Sequence, residues 1–142
     1  MFTKELFLWI HVVLACFWVG GMIFLSLVIV PYIKDKPFRS EAFKEVGERF
    51  SLYGTIGTLS LLLITGIINS YTVHGGVYKR SIIEKIALFS VIVLVSLVHD
   101  LWAGKKALIS PKHRNIAKYL GIINLLLSLG AVYLGVRIRL GM

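Results

Sequence analysis

The sequence is poor in cysteine and in charged residues. It has a single cysteine, Cys16, among 142 residues, which excludes an intrachain disulfide and leaves the redox compartment open. Charged residues make up 16% of the chain, whereas soluble domains carry about 25%. Hydrophobic residues make up 57%, and the mean hydropathy is +0.82. This composition is typical of a polytopic membrane protein with no soluble domain beside its spans.

Recognisable catalytic and phosphate-binding motifs are also missing. The sequence contains no Ser-His-Asp set, no phosphate-binding loop and no zinc motif, so it names no reaction, and an oxidoreductase activity is left open. Acidic residues are few, which gives a formal charge of +9. The basic residues stand at the ends of apolar runs rather than on one face, so they predict membrane topology and not a nucleic-acid partner.

Four apolar runs are long enough to cross a bilayer. They predict an all-α fold, an integral membrane four-helix up-and-down bundle that forms one domain over residues 1–142. Ser40 is expected to cap a short interfacial helix that continues into the second span, and Ser110-Pro111 to begin the fourth helix. The predicted spans are 5–30, 50–71, 82–103 and 116–136.

Lysine and arginine are distributed unequally between the two ends of the predicted bundle. The loops 34–49 and 104–118 together hold ten of them, and the opposite end holds six. The positive-inside rule therefore predicts a multi-pass protein of the cell (inner) membrane, with both termini outside and both basic loops cytoplasmic.

His11 is the one ionisable residue inside the first apolar run, between Ile10 and Val12. An imidazole inside a membrane span is a functional-site hypothesis by default. By helical rise, His11 lies about 9 Å below the outer end of its span. Lys85 and His74 fall near the same end of other spans. These three residues predict an outer site, in which His11 acts with His74 or Lys85, or alone.

His99 belongs to a second predicted site. It lies about 16 Å deeper than His11, so the two histidines are not expected to bind one metal ion. Asp100, Trp102 and His113 are its expected neighbours near the cytoplasmic end. His99 is thus predicted as a metal ligand of the inner site, with His113 as its companion, and His11 as the metal ligand of the outer site.

Haem b held by imidazoles of different helices suits such pairs of histidines. It requires small residues where the macrocycle lies and cations for its propionates. The sequence offers Gly20, Gly21, Thr65 and Gly66 for the first, and Lys85, Arg137 or Arg139 for the second. Copper is the alternative metal, since Cys16 and Met22 are soft ligands close to His11 in sequence.

The chain contains four short segments that are typical of one known family. They are His11 with Phe17–Gly21, Arg49-Phe50-Ser51, Ile64–Ile67, and Tyr78 followed by Ile82–Lys85. Over about residues 5 to 105 the chain thereby resembles the copper-resistance protein D (CopD) domain. In its length, its four spans and the positions of His11, Lys85 and His99, it also resembles the HemJ type of protoporphyrinogen oxidase, a four-span protein thought to bind haem b.

These resemblances imply a membrane bundle with a redox metal. The leading expectation is a haem b protein of the CopD-like type that transfers electrons to or from a quinone or a periplasmic redox partner, as a monomer or an oligomer. The alternatives are copper transport across the membrane through His11 and Cys16, HemJ-like protoporphyrinogen oxidation, and a cofactor-free accessory subunit whose interior polar residues only fix helix register.

Overall fold

In a computed structural model that describes residues 2–141, the chain forms four long helices joined by short turns. They are α1 (Phe2–Ile33), α2 (Arg39–Thr72), α3 (Arg80–Ala107) and α4 (Pro111–Arg139). No strand occurs in the described range. Each helix is long and apolar enough to cross a bilayer. The prediction of an all-helical protein with four such helices is confirmed.

The helices extend beyond the predicted spans, because the charged flanks continue the helical hydrogen bonds. Ser110 caps α4 as predicted: its side chain accepts from the Nα–H of His113 at 3.5 Å, and Pro111 occupies the first turn. The prediction for Ser40 is wrong. The backbone carbonyl of Phe38 accepts the bond from Ala42 N at 3.0 Å, so α2 begins at Arg39, one residue before Ser40. Phe38 therefore occupies the N-cap position, and no side chain among residues 2–141 caps the helix.

Neighbouring helices run antiparallel. Residue numbers that rise along one helix meet numbers that fall along the next, as expected for helices joined by short turns. The contacts that show this are His11 with Thr65 and Trp18 with Gly54 between α1 and α2, Lys85 with Gly135 and Ser96 with Asn124 between α3 and α4, and Trp18 with Ser128 between α1 and α4.

Three of the helices contain a π-helical segment. These segments are Leu25–Ile29 in α1, Ser51–Thr58 in α2 and His99–Ala103 in α3. All three lie toward the end of the bundle that bears the basic turns. In a π segment each backbone hydrogen bond spans five residues instead of four, and such segments often occur at functional sites. In α3 it also requires a glycine, since a Cβ on Gly104 would lie 2.9 Å from the carbonyl oxygen of His99.

Trp18 is the centre of the packed interior. It is 3% exposed, its ring stacks on Phe50 with a centroid separation of 5.5 Å, and its Nε1–H donates to Ser128 Oγ at 3.0 Å. The outer surface is rich in large apolar side chains, such as Phe17, Leu94 and Leu126. Polar side chains are as common as apolar ones among the buried residues. The bundle is therefore apolar outside and partly polar inside.

Candidate functional site

A cavity opens at the end of the bundle where α1 and α3 begin and where α2 and α4 end. Its volume is about 130 Å³, and side chains of all four helices line it. Most of the wall is apolar, with Leu62 and Phe89 among its residues. Its polar lining includes His11, Asn69, Ser70, His74, Lys85 and Arg139. The structure thus brings together three of the four predicted site residues, His11, His74 and Lys85.

The imidazole of His11 is held in one orientation by α2. Its Nδ1 lies 2.7 Å from Oγ1 of Thr65, and that hydroxyl lies 2.8 Å from the carbonyl oxygen of Leu61. We assign the ring proton to Nδ1, because the single hydroxyl hydrogen goes to Leu61 and leaves Thr65 to accept from His11. The lone pair then lies on Nε2. A metal-binding histidine needs this arrangement, with one nitrogen fixed by a partner and the other free.

The absence of a side chain at Gly66 leaves space for the His11 ring. A Cβ there would lie 3.3 Å from Cε1 of His11, closer than ordinary van der Waals contact. Thr65 and Gly66 were expected as small residues of the site. Gly66 does line the cavity, and the two residues also orient and accommodate the His11 ring. Gly20 and Gly21 do not line it, contrary to expectation: a Cβ on Gly20 would meet no atom within 4 Å, and Gly21 faces the ring of Phe50.

Lys85 reaches across the bundle to α4. Its Nζ lies 3.0 Å from the position of a Cβ on Gly135, so the absence of a side chain there makes room for the ammonium group. Among the described residues Lys85 forms no ion pair, and none of the cavity-lining residues is acidic. Arg139 adds a second cation to the lining, whereas Arg137 does not line the cavity. The site therefore has positive charge to offer to an anionic group.

His74 lies in the turn between α2 and α3. Gly75 and Gly76 have φ values of +76° and +135°, which favour glycine, and they turn the chain back toward α3. The side chain of His74 is half-buried. Burial lowers its pKa below the usual 6.5, and the positive charges of Lys79, Lys85 and Arg139 lower it further. The imidazole is therefore kept in its neutral form, which is the form that binds metals.

Asn69 presents an unsatisfied oxygen in the cavity wall. The residue is 5% exposed, and its Nδ2–H donates to the carbonyl oxygen of Phe7 at 3.4 Å, but its buried Oδ1 has no hydrogen-bond partner. The sequence places Asn69 near the outer end without assigning it a role. No local pattern distinguishes it from a packing residue, because its environment depends on α1.

His99 lies in a separate cluster toward the other end. Its Nδ1 is 3.0 Å from Oδ1 of Asp100, and the hydroxyl of Thr55 donates to Oδ2 of the same carboxylate at 2.6 Å. The imidazole of His113 instead meets the edge of Trp102, at 5.3 Å between ring centroids. The structure therefore places His99 beside Asp100, as expected, and separates it from the His11 cavity. It shows no contact that joins His99 to His113.

Within residues 2–141, no group of three or more His, Cys, Asp or Glu side chains is placed to hold a metal ion. Cys16, a proposed copper ligand, is exposed on α1 and does not line the cavity. Met22 is buried in the hydrophobic core with Trp18. The arrangement at the cavity is thus one oriented imidazole with cations beside it, which suits a cofactor that brings most of its own metal ligands.

One known protein is similar to this chain along nearly its whole length. It comes from Aquifex aeolicus (strain VF5), carries the description "uncharacterized protein", and is 66% identical over 142 residues, with 99% of each chain covered. No family model matches the sequence. No solved structure matches it either.

Proposed function

This chain and the Aquifex aeolicus protein belong to one family, and we propose that its members are integral membrane proteins that bind haem b at the His11 cavity and transfer electrons. The observation that carries the proposal is the His11–Thr65 hydrogen bond, which fixes the imidazole and leaves Nε2 free beside a cavity with two cations. Each part of the proposal has its own support.

Insertion in the membrane is supported by the distribution of apolar side chains. Four helices meet the length and hydropathy of a span, and large apolar residues cover the outer surface. In water such a surface would favour aggregation, whereas in lipid it is already in its preferred medium. With the basic turns in the cytoplasm, both termini and the His11 cavity lie at the outer side of the cell membrane.

The donor set fits haem b, although the cavity must widen to hold it. His11 would bind the haem iron through Nε2, and His74, neutral and on another element of the same cavity, would provide a second imidazole. Lys85 and Arg139 would pair with the propionates. A volume of about 130 Å³ is smaller than the roughly 300 Å³ at which pockets for drug-sized ligands begin, so the helix ends must separate when the group binds.

The bound haem would supply one-electron redox chemistry, and the protein would set the conditions for it. Thr65 keeps the ligating nitrogen of His11 deprotonated and aimed, and the apolar wall excludes water. The positive charges of Lys85 and Arg139 would compensate the negative charges of the haem propionates. A quinone in the membrane or a redox protein at the outer face would exchange the electron. Copper transport through His11 and Cys16 stays a prediction of the sequence, with no contact between the two residues to favour it.

Visible spectroscopy of the purified protein, titrated with haem b in detergent, tests the proposal. We expect a Soret band and a redox-sensitive α band from the wild type. His11→Ala should abolish the bands or weaken haem affinity by about 100-fold, because a ligand is lost. His113→Ala is the matched control, since that imidazole lies against Trp102 and outside the cavity; its spectrum should equal that of the wild type.

Two results would refute the proposal. One is a wild-type protein that stays colourless after haem titration while it remains folded by circular dichroism. The other is a His11→Ala variant whose spectrum and affinity are unchanged. In either case the imidazole would only join α1 to α2. A colourless wild type would favour the cofactor-free accessory subunit, whereas an unchanged His11→Ala spectrum would place the haem outside the His11 cavity.

A further inference from the structure

A line of polar side chains, half-buried at its two ends and buried between them, runs through the bundle between the Asp100 cluster and the His11 cavity. Each pair of adjacent helices contributes one hydrogen bond to this line, which we call the polar seam. Its members are Asp100, Thr55, Thr58, Ser96, Asn124, Ser128, Trp18, Thr65 and His11.

The bonds of the polar seam connect all four helices. Thr55 on α2 donates to Asp100 on α3 at 2.6 Å, and Nδ2 of Asn124 on α4 donates to Ser96 on α3 at 2.8 Å. The two further bonds belong to α1. Nε1 of Trp18 donates to Oγ of Ser128 on α4 at 3.0 Å, and Nδ1 of His11 lies 2.7 Å from Oγ1 of Thr65 on α2. The line is thus not the property of one helix.

Helical spacing aligns these bonds along the bundle axis. Asn124 and Ser128 are four residues apart on α4, and Thr58 and Thr65 are seven apart on α2, so each pair shares one face. Along α4 the seam therefore passes in one turn from the residue bonded to α3 to the residue bonded to Trp18. Among the described residues, no side-chain hydrogen bond connects one bonded pair to the next.

The side chain of Asn124, at the centre of the polar seam, has an oxygen without a hydrogen-bond donor in the described part of the chain. The residue is 6% exposed, and its buried Oδ1 accepts no hydrogen bond from any described residue. Nearly all buried oxygens of this kind are satisfied by protein groups or by ordered water. Asn124 is bonded to the hydroxyl of Ser96 and lies one turn from the hydroxyl of Ser128, and a water molecule can bridge such groups. At the cavity end, the buried Oδ1 of Asn69 likewise has no hydrogen-bond partner among the described residues.

We propose that the polar seam binds internal water, centred on Oδ1 of Asn124, and so gives protons a path through the interior of the bundle. Buried water typically makes about three hydrogen bonds to such otherwise unpaired groups. Water molecules join the bonded pairs into one chain, and a proton passes along it through the water molecules and the hydroxyl groups. The asparagine amide and the tryptophan indole only hold the water in place. This inference does not depend on the cofactor of the His11 cavity. The opposing interpretation is a dry seam that only fixes helix register.

Hydrogen–deuterium exchange of the tryptophan indole N–H groups tests the proposal on the whole protein in lipid nanodiscs. Trp9, which is 63% exposed and lies near the outer end of α1, provides a reference for exchange at the membrane interface. In the wild type we expect the Nε1–H of Trp18 to exchange readily although the side chain is 3% exposed, because water reaches it along the seam. Backbone amides of Leu59 and Ile92 should stay protected in the same spectra, which excludes unfolding as the route.

Asn124→Leu removes the proposed water site and should slow the exchange of Trp18 by about tenfold. Ser96→Ala provides a second, smaller change should the leucine variant fail to fold, and it should slow exchange in the same direction. The matched control is Ser90→Ala, on the exposed face of the same helix, which should leave the rate unchanged.

Two outcomes overturn the proposal. A Trp18 indole N–H that stays protected in the wild type, while that of Trp9 exchanges, means that the seam is dry. Rapid exchange in the wild type that Ser96→Ala and Asn124→Leu do not slow means that water reaches Trp18 without the site at Asn124.

Discussion

Nδ1 of His11 on α1 lies 2.7 Å from Oγ1 of Thr65 on α2, although the two residues are 54 positions apart in the chain. The bond connects the most conspicuous residue of the sequence to one that resembles an ordinary packing threonine. It fixes Nδ1 of an imidazole that lines the cavity and leaves Nε2 without a hydrogen bond among the described residues. A lone polar residue in an apolar helix is thereby given a defined orientation.

Thr65→Val removes the hydroxyl and nearly preserves the shape of the side chain. We expect haem affinity in the spectroscopic titration to fall by about 10-fold, because the imidazole loses its orienting partner. The free energy of unfolding should fall by about 1 kcal/mol, since one interhelical hydrogen bond is lost. Thr72→Val is the control: the Thr72 hydroxyl donates only to Ile68 within its own helix. Equal affinities for the two variants would contradict a role of Thr65 at the site.

Gly135→Ala should displace the ammonium group of Lys85. The new methyl group would stand 3.0 Å from Nζ, and the flexible lysine can move aside without unfolding the bundle. We therefore expect weaker haem binding at near-normal stability, measured by titration and by thermal unfolding. Gly121→Ala on the same helix is the matched control, because a Cβ at that position would meet no atom within 4 Å. It should leave binding unchanged and raise stability by up to about 1 kcal/mol through helix propensity.

The pH dependence of His74 follows from the cations around it. Its pKa in the folded protein lies below the usual 6.5, so the unfolded chain binds the proton first as the pH falls. The contribution of His74 to stability is therefore fully present above pH 6.5 and declines as the pH drops below that value. The ring signals of His74 in NMR spectra should titrate below pH 6.5.

Lys79→Ala should raise the pKa of His74 toward its usual value, because one nearby positive charge is removed. Lys4→Ala is a suitable control, since Lys4 is not among the charges that lower this pKa. A His74 that titrates at or above 6.5 in the wild type would show that the cavity end is less positive than its residues indicate.

Residues that interact within one helix or one turn were predictable. Ser110 and Pro111 mark the start of α4 because capping depends on positions three residues apart, and this prediction is confirmed. Ser40 failed as a cap because the turn at Phe38 starts α2 earlier. Gly20 and Gly21 failed as cavity residues because they lie nine and ten residues beyond His11 on α1, about 14 Å further along the helix, whereas the cavity lies at the end of the bundle.

By itself the sequence determined the four apolar helices, their antiparallel order and the depth that separates His11 from His99. These properties depend on local composition and on the fixed rise of a helix. Only the tertiary structure decided that Thr65 holds His11, that Gly135 makes room for Lys85, and that Asn69 and Asn124 keep unpaired oxygens. Such contacts depend on the rotation of one helix against another, which is set by the packing of all four together.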